Sequence, residues 1–270
     1  MNTGKVAIIL LTVSLIFFSV PAFSWQLGIG VTSYYSYWNP AWSEGFDNVE
    51  IDPALLVGPV LSLTVFDKFT LTGFMMLSVN NPRSRYSLPL AGVGNVGIVS
   101  NVERLEAELS LMYLVNRYFR ILAGYKTQLY NEEDTPETVI VPVGYTSRVD
   151  FWKNSFQISG PGAGMALILP VADAFSLSIS TSLIYLAIDH TSPRLKQMGM
   201  EIYSEGIDYN YIGTGNNTAI TASYYFPSMN TVISLGGRFQ FLHYKAEGDA
   251  PSMGNDYYYG ITFAALYLFY

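Results

Sequence analysis

Apolar side chains recur at every second position through most of this chain, and a period of two dictates strands rather than helices. The pattern is clearest between Val102 and Leu129, where two runs meet at a tight polar turn, Asn116-Arg117. On the first run Leu105, Ala107, Leu109, Leu111 and Tyr113 share one face, while Arg104, Glu106, Glu108, Ser110 and Met112 share the other. On the second, Phe119, Ile121, Ala123, Tyr125 and Leu129 alternate with Arg120, Leu122, Gly124, Lys126 and Gln128. Acids face bases across this hairpin. Taken alone, the pair fits either a soluble sheet with a wet charged face or a membrane sheet with that face enclosed.

Eight more runs repeat the unit: Gln26 to Tyr37, Ala54 to Phe66, Phe69 to Val79, Ser159 to Leu169, Phe175 to Ile188, Asn217 to Phe226, Thr231 to Tyr244 and Tyr257 to Tyr270. The connections between runs alternate in length. Short turns such as Asp67-Lys68 follow the even runs. Long stretches follow the odd ones: Trp38 to Glu50, Asn80 to Asn101, Asn131 to Phe156, Asp189 to Asn216 and Lys245 to Asp256. Within the third long stretch, Thr138 to Tyr145 reads as a strand extension. Phe175 to Ile188 alternates most cleanly, with Ser176, Ser178, Ser180 and Ser182 on one side. A wall of serine gains little by packing on oil and suits a polar lumen.

Composition favours the membrane reading. Only 13% of the 270 residues are charged, half are hydrophobic, and there are 21 Tyr and 16 Phe, enough for aromatic girdles at two membrane interfaces. There is no cysteine, so disulfides and thiolate metal sites are excluded. The net charge of −7 disfavours nucleic acid. Residues 1–24 read as a secretory signal peptide, with Lys5 as the positive end, Val6 to Val20 as the apolar core and Ala22 and Ser24 as the small residues before a cleavage at Trp25. No later stretch supplies the roughly 20 continuous apolar residues of a spanning helix. In lipid the remaining way to satisfy every backbone group is a closed barrel. The expected fold is therefore all-β: a transmembrane antiparallel up-and-down β-barrel of about ten strands, with eight or twelve as alternatives, formed by residues 25–270.

The chain ends Ala264-Ala265-Leu266-Tyr267-Leu268-Phe269-Tyr270, an alternating run closed by an aromatic. This resembles the terminal assembly signal of bacterial outer-membrane β-barrel proteins. The resemblance implies export to the outer membrane, insertion by the barrel-assembly machinery through the strand ending at Tyr270, and surroundings of outer-membrane lipid and lipopolysaccharide. Both faces of that last strand are apolar, so the directions of Phe263, Tyr267 and Phe269 stay open.

Arg104, Glu106, Glu108, Arg120, Lys126 and Arg238 share the non-oily phase and are expected to face the lumen, because a charge at the lipid midplane costs about 2–4 kcal/mol. They read either as a constriction that selects solutes or as a salt-bridged filling of a narrow barrel. Asp189-His190-Thr191-Ser192 resembles the His-x-Ser pair of outer-membrane phospholipases and lipid A deacylases, which implies His190 as base, Ser192 as nucleophile and Glu205 or Glu201 as orienter. Pro193 follows where those families carry Asn. The paired aspartates and Asp-x-His of the omptin proteases are missing. Glu132-Glu133-Asp134 reads as a solvated loop run, and Trp38, Trp42, Trp152 and Tyr203 to Tyr211 as interface anchors. No cofactor or metal is implied. The leading functional expectation is a narrow channel or uptake barrel with a charged lumen. The alternatives are a plugged barrel whose surface loops bind a partner and, third, an acyl hydrolase.

Overall fold

Alternation becomes architecture in the computed structural model, which describes residues 24–41, 47–80, 82–90, 94–134, 146–147, 153–198, 201–248, 250 and 253–270. The core of the expected leader and the expected extension from Thr138 to Tyr145 lie outside these residues. The strands are β1 (Trp25–Asn39), β2 (Asp47–Ile51), β3 (Ala54–Val65), β4 (Phe69–Ser78), β5 (Arg83–Leu90), β6 (Gly94–Asn116), β7 (Phe119–Asp134), β8 (Thr146–Ser147), β9 (Lys153–Ala172), β10 (Phe175–Met198), β11 (Glu201–Phe226), β12 (Thr231–Ala246) and β13 (Asn255–Phe269). Ten of them pair antiparallel in the ring β1-β3-β4-β6-β7-β9-β10-β11-β12-β13, and β13 returns to β1. β2 and β5 extend the sheet at the rim beside the upper part of β6, and β8 adds a two-residue parallel bridge to β11.

The register fixes the shape of the barrel. Leu27 pairs with Leu63, and the perpendicular then runs through Leu71, Leu111, Ala123, Ala163, Leu183, Asn216, Phe241 and Tyr257 to Asn39. One circuit therefore climbs from Leu27 to Asn39 on the same strand. With a rise of about 3.3 Å and a strand spacing of about 4.8 Å, this corresponds to a tilt of about 40° and a backbone radius of about 10 Å. A cylinder of that width holds side chains from opposite walls in contact when they are long and stays hollow when they are small.

The outer surface follows the oily phase. Ile29, Val31, Leu61, Leu71, Leu109, Ile121, Leu167, Ile179, Ile220 and Ile261 are all exposed, as are Phe263, Tyr267 and Phe269, which settles the direction of the last strand. Aromatics gather at two levels. Phe69 and Tyr113 (ring centroids 5.0 Å apart) lie toward the short turns, and Tyr37 and Tyr259 (stacked at 5.4 Å) lie toward the long hairpins. From Phe269 to Tyr259 a tilted strand climbs about 25 Å, the height of an outer-membrane apolar band.

The sheet continues past that band where the sequence suggested loops. Residues 80–101 contain β5 and the start of β6 paired as a hairpin, residues 189–216 are a continuous β10–β11 ladder out to Met198 and Glu201, and β2 occupies part of the first long stretch. Lipid dictates oily alternation only within its own thickness, so backbone pairing above the band leaves no such signature. Two turns also differ in detail. The β3–β4 turn centres on Phe66 and Asp67, both left-handed (φ 55° and 54°), one residue earlier than expected, as the twist of a tight hairpin requires. The β6–β7 turn is clasped by Asn116, whose Oδ1 accepts from the backbone N–H of Tyr118 (2.9 Å) and Phe119 (3.0 Å). At Gly58 and Pro59 the β3–β4 register has a gap, consistent with the donor that proline lacks.

Because Leu109 faces lipid and Ser110 the interior, Leu109→Arg should destabilise the folded barrel by about 2–4 kcal/mol in urea titrations in lipid vesicles, with a clearly smaller effect for Ser110→Arg.

Candidate functional site

The inward phase sorts into three layers along the barrel. Nearest the short turns the walls are small and hydroxylated. Ser62, Thr64, Thr70 and Thr72 line one side, and Ser223 and Ser234 another, with Thr64 to Thr70 at 3.1 Å and Ser223 to Ser234 at 2.8 Å.

The middle layer is ionic. Glu106 on β6 is fully buried and meets three cations: Arg104 Nη2 at 3.2 Å, Lys126 Nζ at 3.2 Å and Arg238 Nη1 at 2.5 Å. β6 and β12 are five strands apart in either direction round the ring, so the Glu106–Arg238 pair spans the diameter of the barrel. Amides complete the crossing. Gln128 Nε2 donates to Glu106 Oε2 (3.3 Å), Gln240 Nε2 donates to Gln128 Oε1 (2.9 Å), Lys126 Nζ donates to Gln240 Oε1, and Arg238 Nε donates to Asn217 Oδ1 (2.9 Å). Arg104 donates to Ser36 Oγ (2.6 Å), and its guanidinium lies 5.0–5.6 Å from the ring centroids of Tyr34, Tyr130 and Tyr258. A carboxylate taken from water is tolerated when charge and lone pairs are satisfied this fully.

Toward the long hairpins the lumen is packed solid. Trp38, Tyr130, Phe156, Ile158, Leu186, Ile188, Tyr211, Leu242, Tyr244 and Tyr258 form a buried cluster. Trp38 lies 4.3 Å from Tyr130 and stacks on Tyr258 at 5.9 Å. Buried Asp256 accepts from the hydroxyls of Tyr258 (2.6 Å) and Tyr244 and from the backbone N–H of Ala41, which ties the chain after β1 into the mouth.

No protein-family model matches this sequence, and no curated protein matches it. Among solved structures the chain is similar to the outer membrane protease OmpT from Escherichia coli, with a TM-score of 0.52, 14% identity, and 93% of this chain and 99% of that one covered. It also aligns with Neisserial surface protein A (TM-score 0.39, 10% identity, 91% and 98% covered) and with the beta domain of the Bordetella autotransporter BrkA (0.44, 6%, 90% and 100%). The chain has the fold of a bacterial outer-membrane β-barrel.

Within the barrel, Arg104, Glu106, Glu108, Lys126 and Arg238 converge on one layer, with Glu108 Oε2 at 3.8 Å from Arg238 Nη2. Arg120 stands apart. It shares the inward face of β7 but sits six residues nearer the short turns than Lys126, and makes no ion pair among the described residues. His190 faces inward and stacks on Phe156 at 3.8 Å with the rings 11° apart, as part of the aromatic filling. Ser192 is registered opposite Ile207, and Glu205 opposite Arg194, about 13 Å along the hairpin from the level of His190. The side chains of Ser192, Glu201, Glu205, Trp42, Trp152 and the acidic run 132–134 lie outside the described residues.

Trp38 and Tyr211 were expected at the interface and are buried inside instead, because their phase is the inward one and the rim there is dry. Sequence reasoning missed Gln128, Gln240, Asn217 and Ser36 as members of the network. Their inward parity was legible, but their partners lie across the lumen and far away in sequence.

Glu106→Ala, which leaves three buried cations without their common partner, should cost about 3–5 kcal/mol of folding stability in detergent. Glu108→Gln, at the looser edge, should cost no more than about 1 kcal/mol. Urea unfolding followed by heat-modifiable migration distinguishes the two.

Proposed function

We propose that the protein resides in the bacterial outer membrane as a closed, structurally filled barrel that presents its long hairpins, above all β10–β11, as a surface for binding a partner. The observation carrying this reading is the ion pair across the full diameter, Arg238 to Glu106, backed by the aromatic filling on its hairpin side. A solute moving along the axis would have to break the ion pairs that Glu106 makes with Arg104, Lys126 and Arg238 and then displace Trp38, Tyr130 and Tyr258. Energy invested in a rigid scaffold and in a ladder extending well past the apolar band fits display better than conduction.

A channel remains the second reading, because the hydroxyl-lined half leading up to the network resembles a vestibule. Under that reading the network is a gate.

Planar-bilayer recording separates them. The closed reading expects no steady conductance steps from the wild type, and a stable ohmic conductance would favour the channel. Orientation can be checked directly, since the chain has no cysteine of its own. A maleimide that does not cross membranes should label Asp208→Cys on intact cells, and Asp173→Cys, in the β9–β10 turn, after the outer membrane is permeabilised.

A further inference from the structure

On the lipid-facing side of β3, β4, β6 and β7 the apolar wall is interrupted by an open trough. Its lower part, about 420 Å³, is bounded by Leu61, Met75, Leu109 and Tyr125, with the small residues Gly73 and Ala107 between them. The upper part, about 470 Å³, opens where β4 ends and is lined by Leu77, Leu105 and Leu129, then by Asn101, Glu103 and Asn131. The two parts follow one another on the outward phase. Met75 and Thr127 flank Ala107 in one register row, and Leu77 and Leu129 flank Leu105 in the next. We propose that this trough binds one phosphatidylethanolamine molecule of the surrounding membrane, with an acyl chain along Gly73 and Ala107 and the ammonium group at Glu103. The proposal does not depend on what the hairpins bind.

Depth in the membrane matches an amphiphile. A tilted strand climbs about 2.5 Å per residue, which puts Gly73 near the middle of the apolar band and Leu105 at about the height of Tyr37 and Tyr259. Glu103 then stands about 5 Å beyond that girdle. The trough is therefore oily where acyl chains lie and polar where head groups lie. At Gly73 an added Cβ would meet Leu109 Cδ1 at 3.4 Å, an ordinary contact, so the space there exists because a side chain is lacking. Each part has the volume of a ligand pocket, about 300–1,000 Å³.

Charge selects the head group. Glu103 is exposed and makes no ion pair or side-chain hydrogen bond among the described residues. Arg83 is registered opposite Asn101, one outward position from Glu103 and about 7 Å along the strand. Its guanidinium is likewise exposed and unpaired among the described residues. Arg85, the next outward cation, is already engaged by Glu50 (3.8 Å) and Asp52 (3.6 Å). One carboxylate and one guanidinium are left over, and a zwitterion completes both, ammonium to Glu103 and phosphate to Arg83. The amides of Asn101 and Asn131 add donors for ester and phosphate oxygens. Phosphatidylglycerol and lipopolysaccharide bring phosphate to the same place without an ammonium group to offset Glu103.

The test places the purified folded protein in detergent with phosphatidylethanolamine and phosphatidylglycerol of identical acyl chains at equal concentration, and in a separate arm with phosphatidylethanolamine and lipopolysaccharide. Bound lipid is counted by native mass spectrometry. The wild type is expected to retain one phosphatidylethanolamine, preferred over phosphatidylglycerol by about 3-fold or more, as an exposed ion pair gives. Glu103→Gln should abolish that preference while lipid is still bound. Gly73→Phe, which fills the lower trough with an apolar side chain, should weaken both phospholipids alike. Heat-modifiable migration confirms that each variant is folded. No retained phosphatidylethanolamine, equal or stronger retention of phosphatidylglycerol or lipopolysaccharide by the wild type, an unchanged preference in folded Glu103→Gln, or unchanged binding in folded Gly73→Phe overturns the proposal.

Discussion

A backbone in hydrocarbon has no water to turn to, so each N–H and C=O must find its partner within the protein. Closure of the sheet meets that demand. Once β13 pairs with β1 there is no open edge within the apolar band, and ten strands at the observed stagger leave a cylinder about 10 Å in backbone radius. Everything inside follows from that width. Serine, threonine and glycine reach only part-way to the axis, whereas arginine meeting glutamate, or tryptophan meeting tyrosine, closes it.

The lumen is stratified accordingly. A hydroxylated layer lies near the short turns, the ionic layer crosses the axis, and a buried aromatic layer lies toward the long hairpins. The low dielectric around Glu106 strengthens its attraction to Arg104, Lys126 and Arg238 and at the same time raises the penalty for losing any of them. Such a layer behaves as a strut between opposite walls. Its one loosely held member is Glu108, 3.8 Å from Arg238 Nη2, where the strut meets the hydroxylated walls.

Much of this was legible in the residues. The ten ring strands and their phase could be read because lipid imposes oily outward positions at every second residue, as along Leu105 to Tyr113. The lumenal placement of Arg104, Glu106, Lys126 and Arg238 follows from the same parity. Partnership was not legible, since the bond from Arg238 to Glu106 joins residues 132 apart in the chain, and alternation on two strands says nothing of which strands stand opposite. The rim extensions were hidden for another reason: β5 and the outer parts of β10 and β11 pair beyond the lipid, where polar residues such as Asn95 or Asp208 are as acceptable as oily ones. Trp38 misled because a tryptophan at a strand end usually anchors in the interface, and here it turns inward to close the barrel mouth.

The sheet closes, N-terminal strand against C-terminal strand, in one register. The most direct measurement is oxidative cross-linking of a double-cysteine variant, Thr32→Cys with Ala264→Cys, which the register places opposite one another in a chain with no other thiol. Rapid disulfide formation is expected in the folded protein, and none for the displaced pair Thr32→Cys with Leu268→Cys. A folded protein that cross-links the displaced pair, or neither pair, would contradict it.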